Sequence, residues 1–313
     1  MERVKQGVGF AQAWPPLTTW LEARPEGAAE VVSRLQEGTV LPEATAGVYV
    51  ALGRARTDEA REALLGILGD TLAPAFERTR AAFALVDRDD VGPPLARELQ
   101  THSQALVDGP TRDERFFARE ALLALGALAG QQQNPEITAI ASDAVREALR
   151  RGHNPVTLRP ALGALANVGE PALLQDAAPF AAHPDARIRE EAAIVVRRMA
   201  PDKTLDFVKA WLDRETDGQV KRELYAVLER QHVDARVAPA PSLVQRAVAD
   251  LRAQPSLLTR KAIVLLLGKA GPGTPEVRAA LVAQARIELR EHTGLYDTLA
   301  GLLTPEELQE VVP

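Results

Sequence analysis

The chain of 313 residues contains no cysteine. Disulfides, thiolate nucleophiles, iron–sulfur clusters and cysteine-ligated zinc are thereby excluded. Aromatic residues are scarce, at 4% against 46% hydrophobic residues overall. The apolar content is therefore mainly Ala, Leu and Val, which suits close-packed helices better than a β-sandwich. No apolar run approaches the ~18–20 residues that span a bilayer. The opening MERVKQGVGFAQAWPP lacks the apolar core of a signal peptide. The default expectation for location is cytoplasmic. Basic residues are outnumbered, 37 Lys and Arg against 43 Asp and Glu, for a net charge of −6. That balance argues against nucleic acid as a partner, although a local basic face could still form.

Catalytic motifs are missing too. There is no phosphate-cradling G-x-x-x-x-G-K-[ST], no G-x-G-x-x-G and no G-x-S-x-G. Gly271-Pro272-Gly273 has no strand before it and reads as a turn. His102, His153, His183, His232 and His292 form no pair at metal-ligand spacing on one helix. No catalytic residue, metal or cofactor is expected, and the chain reads as non-enzymatic.

What is present is a long series of short amphipathic helices. They are separated by Pro, Gly, Asp and Asn, with no sustained alternation of period two. The fold class is all-α. Several helices end in an Ala/Leu-rich signature whose last residue is Gly53, Val86, Gly126, Gly163, Arg197, Glu229 or Gly268. Successive marks lie 32 to 40 residues apart, about 36 on average. Two helices and two turns fill such a period. One pair cannot bury its apolar face alone, but about seven or eight stacked pairs can. The small residue at several marks would let neighbouring backbones approach.

The clearest unit runs from His183 to Arg230. Asp185-Ala186-Arg187-Ile188-Arg189-Glu190-Glu191-Ala192 has a counterpart in Asp217-Gly218-Gln219-Val220-Lys221. Here the chain resembles the HEAT-repeat family, whose second helix begins with Asp, then Val/Ile-Arg-x-x-Ala and an aliphatic run. The resemblance extends more weakly over residues 26–303. It implies a right-handed superhelical solenoid of antiparallel pairs with the second helices on the concave side. It also implies a ladder between repeats, to which Asp185, Arg189, Asp217, Lys221 and Arg260 would belong. Residues 1–25, with Trp14 and Trp20, would cap one end of the array. Residues 304–313 would cap the other, with Thr304 as N-cap and Pro305 in the first turn. The stretch at 234–241 reads as a linker where the array could shift or hinge.

Many bases fall on or beside the second helices, among them Arg198, Arg222, Arg230, Lys261 and Lys269. An acidic segment of a protein partner would suit such a face. The expected contacts are Arg198, Arg222, Tyr225 and Arg230, which the repeat motif leaves free. The expected function is a scaffold for protein–protein interaction. With a Thr-Asp-Glu-Ala helix start at 57–60 and ALLALGALAG at 121–130, residues 40–130 more weakly resemble the helical domain of vitellogenin-like large lipid-transfer proteins. This resemblance implies lipid as the alternative partner and a module of a larger assembly. HEAT-like enzymes acting on nucleic acid or a tetrapyrrole form a third class.

Overall fold

Pro and Gly punctuate the chain at almost every turn, and helices begin and end where they stand. The computed structural model describes residues 10–198, 205–235, 239–269 and 274–312, and these contain helices and no strand. Two compact units divide at Leu173/Leu174.

In unit one the helices are α1 (Phe10–Ala23), α2 (Gly27–Gln36), α3 (Pro42–Arg54), α4 (Asp58–Gly69), α5 (Ala75–Val86), α6 (Gly92–Ser103), α7 (Ala105–Asp108), α8 (Arg112–Gln132), α9 (Pro135–Arg151) and α10 (Pro155–Val168). They form two rows. In the inner row α1, α3, α5, α8 and α10 pack in succession; α2, α4, α6 and α9 lie behind them. Local chemistry sets the starts. Thr57 accepts from the Ala60 amide, Thr111 and Glu114 form a reciprocal capping box, and Asn134 and Asn154 cap the next two helices. Close approach sets the spacing of the inner row. A Cβ on Gly53 would stand 2.6 Å from the Ala84 carbonyl oxygen. Trp20 lies directly against Gly27, and Leu17 and Leu21 bury the inner stripe of α1.

Unit two repeats the plan. A broken start comprises a 3-10 turn at Ala178–Ala182 preceded by α11 (Leu174–Ala177). It is followed by α12 (Ala186–Arg198), α13 (Leu205–Arg214), α14 (Gly218–Ala235), α15 (Pro241–Arg252), α16 (Leu257–Lys269), α17 (Pro275–Glu291), α18 (Leu295–Ala300) and α19 (Pro305–Val311). Here α12, α14, α16 and α18 pack in succession as the inner row. The core centres on Trp211 and Tyr225, both essentially inaccessible, with Leu224, Leu228 and Ile263 around them.

Residues 171–182 form a run of short turns and not one continuous helix, because Pro179 cannot donate to a helical ladder. The expected linker is shorter at its front, since α14 continues to Ala235; its residues 236–238 lie outside the described set. So do the first nine residues of the expected N-terminal cap, the Gly271-Pro272-Gly273 turn and the side chain of Lys269. At the far end Thr304 and Glu307 make a full capping box on α19 with Pro305 in its first turn, as the sequence implies. Among the described residues no helix is long and apolar enough to cross a membrane.

Candidate functional site

Two kinds of polar residue occupy the second helices, and they point in different directions. The first kind ties one helix pair to the next. Arg189, in the first turn of α12, donates from Nε and Nη2 to Glu215 at 2.9 and 2.8 Å. Lys221, in the first turn of α14, donates to Asp250 at 2.9 Å. Arg260, in the first turn of α16, donates to Glu288 at 2.7 and 3.3 Å and to Glu291 at 3.1 Å. Each rung joins the start of a second helix to the end of the following pair's first helix. A carboxylate there opposes the helix dipole, so the cation offsets an otherwise unfavourable charge.

The carboxylates are saturated. Glu215 also accepts from the Trp211 indole at 3.1 Å and from the amides of Thr216 and Asp217. Asp250 accepts from the Tyr225 hydroxyl at 2.7 Å. Glu288 accepts from Gln284 at 2.6 Å and from Thr293. Burial alone would raise the pKa of all three. Hydrogen bonds from Arg189, Lys221 and Arg260, with their neighbours, more than offset it and hold each below the ordinary carboxylate range. A depressed folded-state pKa contributes stability that is complete above the unfolded value and lost as pH falls through the folded one. Unit two is therefore expected to lose stability progressively from about pH 4 downward. Urea midpoints taken from pH 7 to pH 3 would measure this, and a flat profile would contradict it.

The expected ladder thus needs correction in its acids. Asp185 accepts from the Arg187 amide at 2.8 Å, and Asp217 from the amides of Gln219 and Val220 at 2.8 and 3.1 Å. They are N-caps, because an Asx side chain one residue before a helix reaches the amides of its first turn. The rung acids are Glu215, Asp250 and Glu288, 26 to 29 residues beyond their bases. The available signal was an acid at the wrong end of each first helix.

Unit one is tied by other contacts. Arg78, in the first turn of α5, donates to the Leu68 carbonyl at 3.1 Å, stands 3.3 Å from His102 Nδ1 and lies 3.9 Å over the Phe117 ring. Buried Arg88 donates to the carbonyls of Leu52, Ala55 and Thr57 at the end of α3, and clasps Asp90 at 2.8 and 2.7 Å. Nothing in the repeat pattern singled out Arg88.

The second kind of residue lies on the stripe that each inner helix leaves open. In unit one these stripes carry Phe76, Arg80 and Phe83 on α5, Phe116 and Arg119 on α8, and Val156 and Arg159 on α10. Arg80 lies 5.4 Å over Phe76 and Arg119 5.0 Å over Phe116, so cations and rings share the surface. In unit two the stripes carry Arg198 on α12, Arg222, Arg230 and Val233 on α14, and Leu258 and Lys261 on α16. Arg198, Arg230 and Lys261 are exposed. Arg222 is only partly so, held by Glu190 at 3.0 Å and Glu223 at 2.6 Å.

Tyr225 does not belong with them. Its side chain is 0% exposed and its hydroxyl is committed to Asp250. The expectation of a surface contact fails because position 225 falls on the face of α14 turned to the core, next to Leu224 and Leu228. Burial and the Asp250 carboxylate push its pKa far above that of an ordinary phenol.

Residues 142–229 match the family model described as HEAT repeats. No curated protein matches the chain.

Proposed function

Because this chain carries HEAT repeats over residues 142–229, we propose that it is a non-catalytic scaffold that holds a protein partner on the open faces of its second helices. HEAT repeats serve in general as interaction surfaces, and the arrangement of side chains supports that use here. The carrying observation is a division of labour. The shielded ion pairs Arg189–Glu215, Lys221–Asp250 and Arg260–Glu288 are spent on holding pairs together. The open stripes combine arginine or lysine with exposed apolar side chains, as in Phe76, Arg80 and Phe83. Arginine and aromatic residues are the types that anchor protein interfaces. An acidic segment of the partner fits both units, and Arg198, Arg222 and Arg230 are its proposed contacts in unit two.

Affinity capture from the native host, with mass spectrometry, tests this. The comparison is between the native chain and two variants of matched helicity. One carries Arg198→Glu, Arg230→Glu and Lys261→Glu; the other carries Arg80→Glu and Phe83→Ala. Arg222 is left in place because Glu190 and Glu223 hold it. A partner bound through either face should fall by about tenfold or more with the matching variant. Equal capture by all three chains would reject the second-helix faces as the binding surface.

A further inference from the structure

On the opposite side of unit one, α2 and α4 leave a groove between them of about 880 Å³. Its floor is apolar: Ala29 and Val32 from α2, Ala63, Gly66 and Ile67 from α4. Its rim is acidic: Glu26 from the start of α2, with Asp58, Glu59 and Glu62 from α4. No basic side chain lines it. Arg61 pairs with Asp58 at 2.9 Å and Glu62 at 3.2 Å, but Glu26 and Glu59 form no ion pair among the described residues. Gly66 keeps the groove open, because a Cβ there would meet nothing within 4 Å.

Another groove in the same outer row is shut. Between α6–α7 and α9 the space is only about 60 Å³. Arg151 pairs with Asp108 across it, and Arg97 pairs with Glu136 between α6 and α9. The α2–α4 groove has no such cross-strap among the described residues, and its charges are of one sign.

We infer that this groove docks a basic amphipathic helix of a partner protein. Two neighbouring helices present a furrow into which the side-chain ridge of a third can pack. The ten residues of α2 set the furrow's length at about 15 Å, roughly three helical turns. Apolar residues at i, i+3, i+4 and i+7 of the guest would meet the floor. Lysine or arginine on its flanks would meet Glu26 and Glu59. This surface is separate from the second-helix faces, and its partner chemistry is opposite in charge.

The test uses the full chain and a fluorescein-labelled peptide of about 14 residues, long enough for the contact. Leucine occupies one helical face and lysine the flanks; a control peptide carries glutamate in place of lysine. Anisotropy titration should show saturable binding of the lysine peptide that weakens with salt, and binding of the control at least about tenfold weaker. Gly66→Leu, which fills the floor, should reduce binding by about tenfold or more, and Glu59→Lys by several-fold. Both substitutions are at exposed helical positions, and helicity and melting would verify their folds. Charge reversal at Arg198, Arg230 and Lys261 should leave peptide binding unchanged, which separates this site from the second-helix faces. The inference is overturned if the lysine peptide shows no saturable binding, if both peptides bind equally, or if neither groove variant weakens it. Sedimentation showing self-association that Gly66→Leu abolishes would instead assign the groove to a second copy and overturn the partner helix.

Discussion

Glu288→Ala is expected to destabilise unit two by about 3–5 kcal/mol. Glu288 is fully buried and receives Arg260 at 2.7 and 3.3 Å, with Gln284 and Thr293 completing its lone pairs. Arg260 is itself 9% exposed. Removing the carboxylate strands a buried guanidinium whose remaining partners are Glu291, half exposed, and the Pro255 carbonyl. The cost is mainly that stranded charge, not the lost attraction, so Glu288→Gln should cost less than Glu288→Ala by retaining an acceptor. Asp89→Ala is the contrast. Its pair with Arg56 has both side chains 84% exposed, and the expected change is close to zero. Urea denaturation of the full chain followed by circular dichroism measures all three. A loss below about 1 kcal/mol for Glu288→Ala would mean that the rungs do not hold the pairs together.

The rungs also show what a sequence can and cannot reveal in this fold. Helix positions were legible because their determinants are local: Pro42, Pro135, Pro275 and Pro305 start helices where the chain alone says they should. The bases of the rungs were legible because the repeat motif marks Arg189, Lys221 and Arg260 at one register. Their acids were not, because Glu215, Asp250 and Glu288 lie in a different helix 26 to 29 residues on, and only packing brings them near. Asp185 and Asp217 stood closer in sequence and went to a closer need, the orphan amides of their own helices. The same limit applies to Tyr225. A polar tip on a mixed helix reads as surface, yet one step around α14 separates Arg222 on the open stripe from Tyr225 in the core. The α2–α4 groove was invisible for a further reason. It is defined by what is absent at Gly66 and by a missing cross-strap, and neither leaves a motif.

Gly126→Val is expected to cost unit one about 3 kcal/mol or more. Gly126 sits inside α8, where glycine in place of alanine costs about 1 kcal/mol of helix propensity. Its retention has a steric cause. A Cβ at 126 would stand 2.5 Å from the Ala164 carbonyl oxygen and 3.0 Å from its Cα, backbone atoms of α10 that no rotamer change can move. Gly130, one turn on, meets Asn167 of the same helix in the same way. The side chain of valine therefore has to spread α8 from α10 along the whole seam, which buries Leu122, Leu125, Ala161 and Leu165. Gly66→Ala gives the opposite sign. Nothing lies within 4 Å of its Cβ, so the gain in propensity should appear as about 0.5–1 kcal/mol of added stability. Melting curves of the two variants against the native chain decide the matter. Gly126→Val should also disturb function at a distance, because the α8–α10 spacing sets how far Phe116 and Arg119 stand from Val156 and Arg159. Partner capture by that variant should fall even at temperatures where unit one stays folded. A valine at 126 that leaves both the melting temperature and capture unchanged would show that close backbone approach does not position the open face.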